Sequence, residues 1–163
     1  MNNSVLVLVD STQPGYRVYS NYIQPYLNSF GIPYVETTPQ AMGTPDCALI
    51  FVGQVGLSLP LSTLQDAVES GIGLVSVDPA IGQTATPVST TGSALALRDN
   101  HYITALHNAE EIPLYAPLTL TSTPCLPGGE VLVSCGGAPI LEVAGRTVLW
   151  HDTRWMSHSV LGP

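Results

Sequence analysis

The chain has 163 residues, 45% of them hydrophobic and 10% charged, with twelve acids against four arginines and a formal charge of −8. At that length a chain buries roughly 70% of the surface it exposes when unfolded, which excludes intrinsic disorder and removes any need for a disulfide framework or a structural metal. With no lysine and so acidic a balance, counterion release has almost nothing to work with, so neither nucleic acid nor an anionic membrane is an expected partner.

Val5 to Val9 is a β-branched-rich apolar run without alternation, the pattern of a strand covered on both faces. A polar turn follows over Asp10-Ser11-Thr12-Gln13-Pro14-Gly15. Tyr16, Tyr19, Ile23, Tyr26, Leu27 and Phe30 then recur at helical spacing up to Gly31, with Pro25 predicting a kink or an early end of the helix. The tyrosines of this helix, Tyr16, Tyr19, Tyr22 and Tyr26, are expected to form a mostly buried face. Ile32 to Val35 predicts a second strand and Cys47 to Val52 a third, ending at Gly53-Gln54. A helix opened by Ser58 or Pro60 runs through Leu61, Leu64, Ala67 and Val68 and closes at Ser70-Gly71, before a fourth strand over Gly73 to Val77. This alternation predicts a parallel sheet wrapped by helices, a doubly wound α/β half over residues 1–78.

From Asp78 to Gly129 the chain is broken by Pro79, Pro87, Pro113, Pro117, Pro124 and Pro127 among Thr/Ser/Gly-rich stretches, and loops with short strands are expected. Ile103 to Leu106 reads as one helical turn and Leu118 to Thr121 as a short strand. Three strands, over Val131 to Cys135, Pro139 to Val143 and Arg146 to Trp150, alternate with Gly136-Gly137 and Ala144-Gly145 and predict an antiparallel meander extending the sheet. The whole reads as one domain over 1–163, excised from a longer protein. The longest early apolar run is five residues, too short for a membrane span or a signal-peptide core, so the chain is expected to be soluble, with a secreted parent still compatible.

Ligands of open α/β sheets bind beyond the carboxyl ends of the strands, so the polar residues that close each strand are the candidates. They are Asp10 and Ser11 after the first strand, Gln54 after the third, Asp78 after the fourth, and His151, Asp152 and Arg154 after the last. His101 is a further loop candidate. Together these residues supply acid, base and hydrogen-bonding groups. For Asp78 a plain Asx-type turn before Pro79 stands beside a catalytic role. Cys47, Cys125 and Cys135 are odd in number and lack a C-x-x-C spacing, so no thiolate metal site is expected, and His101, His151 and Asp152 do not by themselves predict one. No cofactor is called for. Trp150, Trp155 and Tyr102 suit the apolar faces of sugar rings, and equally suit core anchors.

Several segments resemble the class I glutamine amidotransferase-like superfamily, and within it the trehalose-utilisation-like branch. They are Val5 to Asp10, Asp46 to Gly53, Leu64 to Val77, Asn100-His101-Tyr102-Ile103-Thr104 and Ala144 to His151. The resemblance implies a flavodoxin-like three-layer α/β/α sandwich with a mainly parallel sheet, an irregular second half and antiparallel C-terminal strands. It also implies that a nucleophilic cysteine should stand on the turn after the fourth strand, with His151 as the matching histidine. Asp78 stands there instead, and none of the three thiols matches. The expectation is therefore a non-catalytic accessory or assembly domain within a carbohydrate-related protein, with a homo-oligomer, neighbouring domains of the parent or a carbohydrate-related ligand as partners. The alternative is a hydrolase on a sugar-related substrate that uses Asp78 and His151, with Asp10, Gln54 and Arg154 positioning it.

Overall fold

The computed structural model describes residues 4–55, 59–78, 80–81, 88–98, 101, 104, 111–122 and 126–152. The chain divides into two compact units, Met1–Ile81 and Gly82–Pro163. No helix among the described residues is long and apolar enough to cross a membrane.

The first unit holds four parallel strands in the order β2 (Tyr34–Thr37), β1 (Val5–Leu8), β3 (Leu49–Val52), β4 (Gly73–Ser76). Val7, Leu8, Ile50 and Val52 are fully buried, as an unalternating apolar strand requires. Between β1 and β2 the chain is helical over 16–29, but not uniformly so. α1 (Tyr16–Val18) leads into a π-helical turn, Tyr19–Ile23, and then α2 (Gln24–Ser29). The Gln24 amide donates to the Tyr19 carbonyl, five residues back. Pro25 explains the wider turn, because its ring clashes with the carbonyl four residues earlier and it has no N–H to offer. The kink predicted at Pro25 is thus absorbed one turn ahead of it.

α2 and α3 (Leu61–Glu69) stop the same way. Gly31 and Gly71 have φ of +62° and +103°, and the next amides reach back, Ile32 to Leu27 and Ile72 to Ala67. Both stops match the glycines picked out in the sequence. The second strand starts later than Ile32 because that residue's amide is committed to the cap and Pro33 has no N–H. The third starts at Leu49, two residues later than Cys47.

The predicted tyrosine face is corrected by the structure. Tyr19 alone is fully buried, while Tyr22 and Tyr26 are 42% and 56% exposed. The π turn adds a residue and rotates the following positions away from the α-helical stripe.

The second unit is antiparallel, in the order β9 (Thr147–Trp150), β8 (Ala138–Ala144), β7 (Glu130–Cys135), β5 (Val88–Leu97), β6 (Glu111–Ser122). The meander β7–β8–β9 falls where the sequence put it, turning through Gly136-Gly137 and Gly145-Arg146. The expectation of loops and short strands before it is overturned, since β5 and β6 run for ten and twelve residues. Pro113 and Pro117 are accommodated because β6 is the outer strand among the described residues, where a missing N–H leaves no ladder bond unmade. The 118–121 strand is the end of β6. Leu95, Leu120, Leu132, Cys135 and Ile140 form the buried core, with Trp150 packed against its rim. Of the predicted turn over 103–106, only Thr104 is described; its amide donates to the His101 carbonyl at 2.9 Å.

Candidate functional site

In the first unit the carboxyl ends of β1, β3 and β4 gather four of the predicted residues. Asp10 follows β1 and turns on itself, its Oδ1 accepting from the Thr12 amide at 2.9 Å and the Thr12 hydroxyl at 2.6 Å. Those two bonds hold its carboxyl below the usual carboxylate range. Ser11 is exposed and lines a shallow depression with Thr12, Gln13, Pro14, Tyr16 and Arg17. Gln54, half-buried after β3, packs so closely against Gly15 that any side chain there would collide with it.

Asp78 is 2% exposed and lies just past β4. Its Oδ1 accepts from the Ala80 amide at 2.8 Å, an Asx turn, and its Oδ2 accepts from the Val55 amide at 2.8 Å. Its own amide donates to the Ser76 hydroxyl at 3.0 Å, and Ser76 is fully buried. The carboxylate therefore ties the end of β4 to the segment after β3. Such a group is well solvated by fixed dipoles, and truncating it would strand two buried N–H donors.

In the second unit His151 follows β9. Its amide continues the β8–β9 ladder to Ile140 at 2.8 Å, and its Nε2 lies 2.8 Å from Glu142 Oε2, with the two side chains 5% and 0% exposed. Glu142 Oε1 also accepts from the Leu126 amide. Gly129 sits where a side chain would collide with that same oxygen. Glu142 is thus held on both oxygens and fixes one ring nitrogen of His151, the arrangement that sets a histidine's tautomer and orientation.

Glu142 was missed by sequence reasoning. Two signals pointed to it: a carboxylate inside the apolar strand 139–143, and a hairpin register that pairs Glu142 with Leu149, two residues before His151 and so on the same face. Asp152 is half-buried after His151, and His101 is half-buried with its carbonyl accepting from Thr104. Arg154, Tyr102 and Trp155 lie outside the described residues. Among the described residues no three His, Cys, Asp or Glu side chains are grouped so as to hold a metal ion.

Cys47 lies before β3 and Cys135 at the end of β7, and both are buried and free. Burial pushes both thiols up, away from the reactive thiolate. Cys125 lies outside the described residues.

No protein-family model and no curated protein sequence matches the chain. Solved structures do. A glutamine amidotransferase from Thermotoga maritima is 8% identical at a TM-score of 0.58, over 93% of this chain and 75% of that one. A cytoplasmic protein from Salmonella typhimurium LT2 is 11% identical at 0.59, over 94% and 89%. A second structure described as a glutamine amidotransferase is 14% identical at 0.53, over 95% and 92%. At these identities the likeness is one of fold alone.

Proposed function

We propose that this chain is a glutamine amidotransferase-like α/β module without the cysteine chemistry of that fold, serving as an accessory or assembly domain of a carbohydrate-related protein. We read the architecture as a flavodoxin-like three-layer sandwich within one domain. The right-handed crossover rule supports the layering, since β1→β2 and β3→β4 step in opposite directions across the sheet and so send their helices to opposite faces.

The observation that carries the functional reading is Asp78. It occupies the bend after β4, where the segment resemblance implies a nucleophile, with both carboxylate oxygens engaged by backbone amides. Base and oxyanion donors cannot replace a missing attacking group. The carbohydrate context rests on the segment resemblance alone, chiefly Asn100 to Thr104 and Ala144 to His151. The purified chain is expected to release no ammonia from glutamine and to form no covalent adduct with a thiol-directed glutamine analogue, by mass spectrometry. Ammonia release that alkylation of the cysteines abolishes would overturn the reading.

The Glu142–His151 pair favours a second reading. A histidine oriented by a buried carboxylate is the form of a general base, which in a hydrolase would activate water for attack on a sugar-related substrate. In that reading His151, oriented by Glu142, is the base that carries the reaction. Screening against sugar esters and glycosides, with Asp78→Asn and His151→Ala beside the wild type, tests it. An activity that both variants retain in full removes the second reading.

A further inference from the structure

The sheet of the first unit changes direction at its centre. β1 lies between β2 and β3, and the chain leaves β1 toward β2 on one side and β3 toward β4 on the other. A crevice opens where the outgoing connections of two adjacent strands part, and open α/β sheets take their ligands there. We propose that the depression after β1 is a binding site for a small hydroxylated carboxylate, an acid of the uronate or aldonate kind, gripped by Arg17 and contacted by Ser11 and Tyr16.

Among the described residues the depression is lined by Ser11, Thr12, Gln13, Pro14, Tyr16 and Arg17 and measures about 540 Å³, within the range of about 300–1,000 Å³ typical of small-molecule sites. Its wall is built in advance. The Gln13 amide donates to the Asp10 carbonyl and the Tyr16 amide to the Gln13 carbonyl, both at 3.0 Å. A Cβ on Gly15 would collide with the Gln54 side chain, so glycine lets this turn rest directly on the segment after β3. A ligand that docks here therefore has little of the chain to order.

The donors decide the ligand's chemistry. The amides of Thr12, Gln13, Tyr16, Arg17 and Val18 already donate within the segment, so the backbone offers no cradle of free N–H groups of the kind that holds phosphate. Side chains must do the holding. The Ser11 and Tyr16 hydroxyls and the Arg17 guanidinium have no hydrogen-bond or ion-pair partner among the described residues. Arg17 is the only lysine or arginine before residue 98, and it stands in a chain of net charge −8. Its planar fork takes one carboxylate through two parallel N–H···O bonds. The two hydroxyls donate and accept as ligand hydroxyls require, and the half-buried Tyr16 ring offers an apolar face to the C–H side of a sugar-like frame. Asp10 lies outside the lining, its charge already met by the amide and hydroxyl of Thr12.

The sugar-like frame of the ligand rests on the carbohydrate-related reading and the carboxylate on Arg17, and the probes separate the two. Ammonia release from glutamine bears on the cysteine chemistry alone, so that reading and this site fail separately. Titration of the isotope-labelled full chain with D-glucuronate, followed by amide NMR, is expected to shift the Ser11, Thr12, Gln13, Tyr16 and Arg17 signals with a dissociation constant of about 1 mM or tighter. D-Glucose and acetate each carry half of the recognised chemistry and should bind about tenfold more weakly, as should inorganic phosphate. Arg17→Gln should lose about tenfold or more and Ser11→Ala about threefold, both at exposed positions that leave the circular dichroism unchanged. Arg98→Gln, whose guanidinium Glu130 already engages at 3.0 Å, should bind as the wild type does. Amide signals unmoved at about 20 mM glucuronate, equal binding of D-glucose, acetate or inorganic phosphate, or full retention in Arg17→Gln overturns the proposal.

Discussion

Glu142 and Asp78 are two buried carboxylates that answer different needs. Glu142 lies in an apolar sheet with His151 and the Leu126 amide on its oxygens, so removing it takes a charged hydrogen-bond partner from both at once. Glu142→Ala is expected to destabilise the fold by about 3 kcal/mol in urea titration, and Gly129→Ala by about 2 kcal/mol, because the new methyl displaces the same oxygen. Asp78 closes a turn and ties it to the segment after β3. Asp78→Asn keeps one oxygen for two amides, Val55 and Ala80, and is expected to cost about 2 kcal/mol for the donor left over. Asp10 is held by its own turn. Its carboxyl is depressed by Thr12, so its contribution is present above the ordinary aspartate range and is lost as pH falls through the lowered folded value. Thr12→Val should raise the Asp10 value toward the ordinary one, read by carboxyl NMR titration. The candidates at strand ends were legible because turn chemistry leaves polar residues at fixed places. Glu142 was not, because its importance comes from a cross-strand neighbour rather than from its own sequence context.

At the scale of elements, the parts that local chemistry dictates came through unchanged. The glycine stops at Gly31 and Gly71 are set by backbone sterics within one turn, and the hairpins of β7–β8–β9 by Gly136-Gly137 and Gly145 between apolar runs. Gly71→Ala is expected to cost about 1 kcal/mol by thermal denaturation, since φ there is +103°. β5 and β6 were hidden by their prolines. Whether a proline breaks a strand depends on which side of the sheet edge its missing N–H faces, and that is decided by the neighbouring strand. Pro113 and Pro117 on the outer strand then serve as blocks to further pairing. Replacing both with Thr is expected to change stability by less than about 1 kcal/mol while increasing light scattering on heating. The π turn before Pro25 is of the same kind: the residue responsible is visible in the sequence, but where the helix absorbs it depends on packing, and that choice left Tyr22 and Tyr26 outside.

For the molecule as a whole, charge is the property that composition fixes outright. With a pI near 4.6 the chain should show its solubility minimum near that pH and pass unretained through a heparin column at neutral pH, measured by turbidity and elution. An acidic balance, apolar strands and strand-end polar loops follow from residue types and periodicity alone, because each is a property of a few neighbouring positions. Which carboxylate meets which histidine, which aromatic rings stay wet and which prolines lie on an edge are set by contacts between residues far apart in the chain. The first group was therefore determined by the sequence itself. The second awaited tertiary structure, because burial and pairing are relations between distant segments that no local pattern encodes.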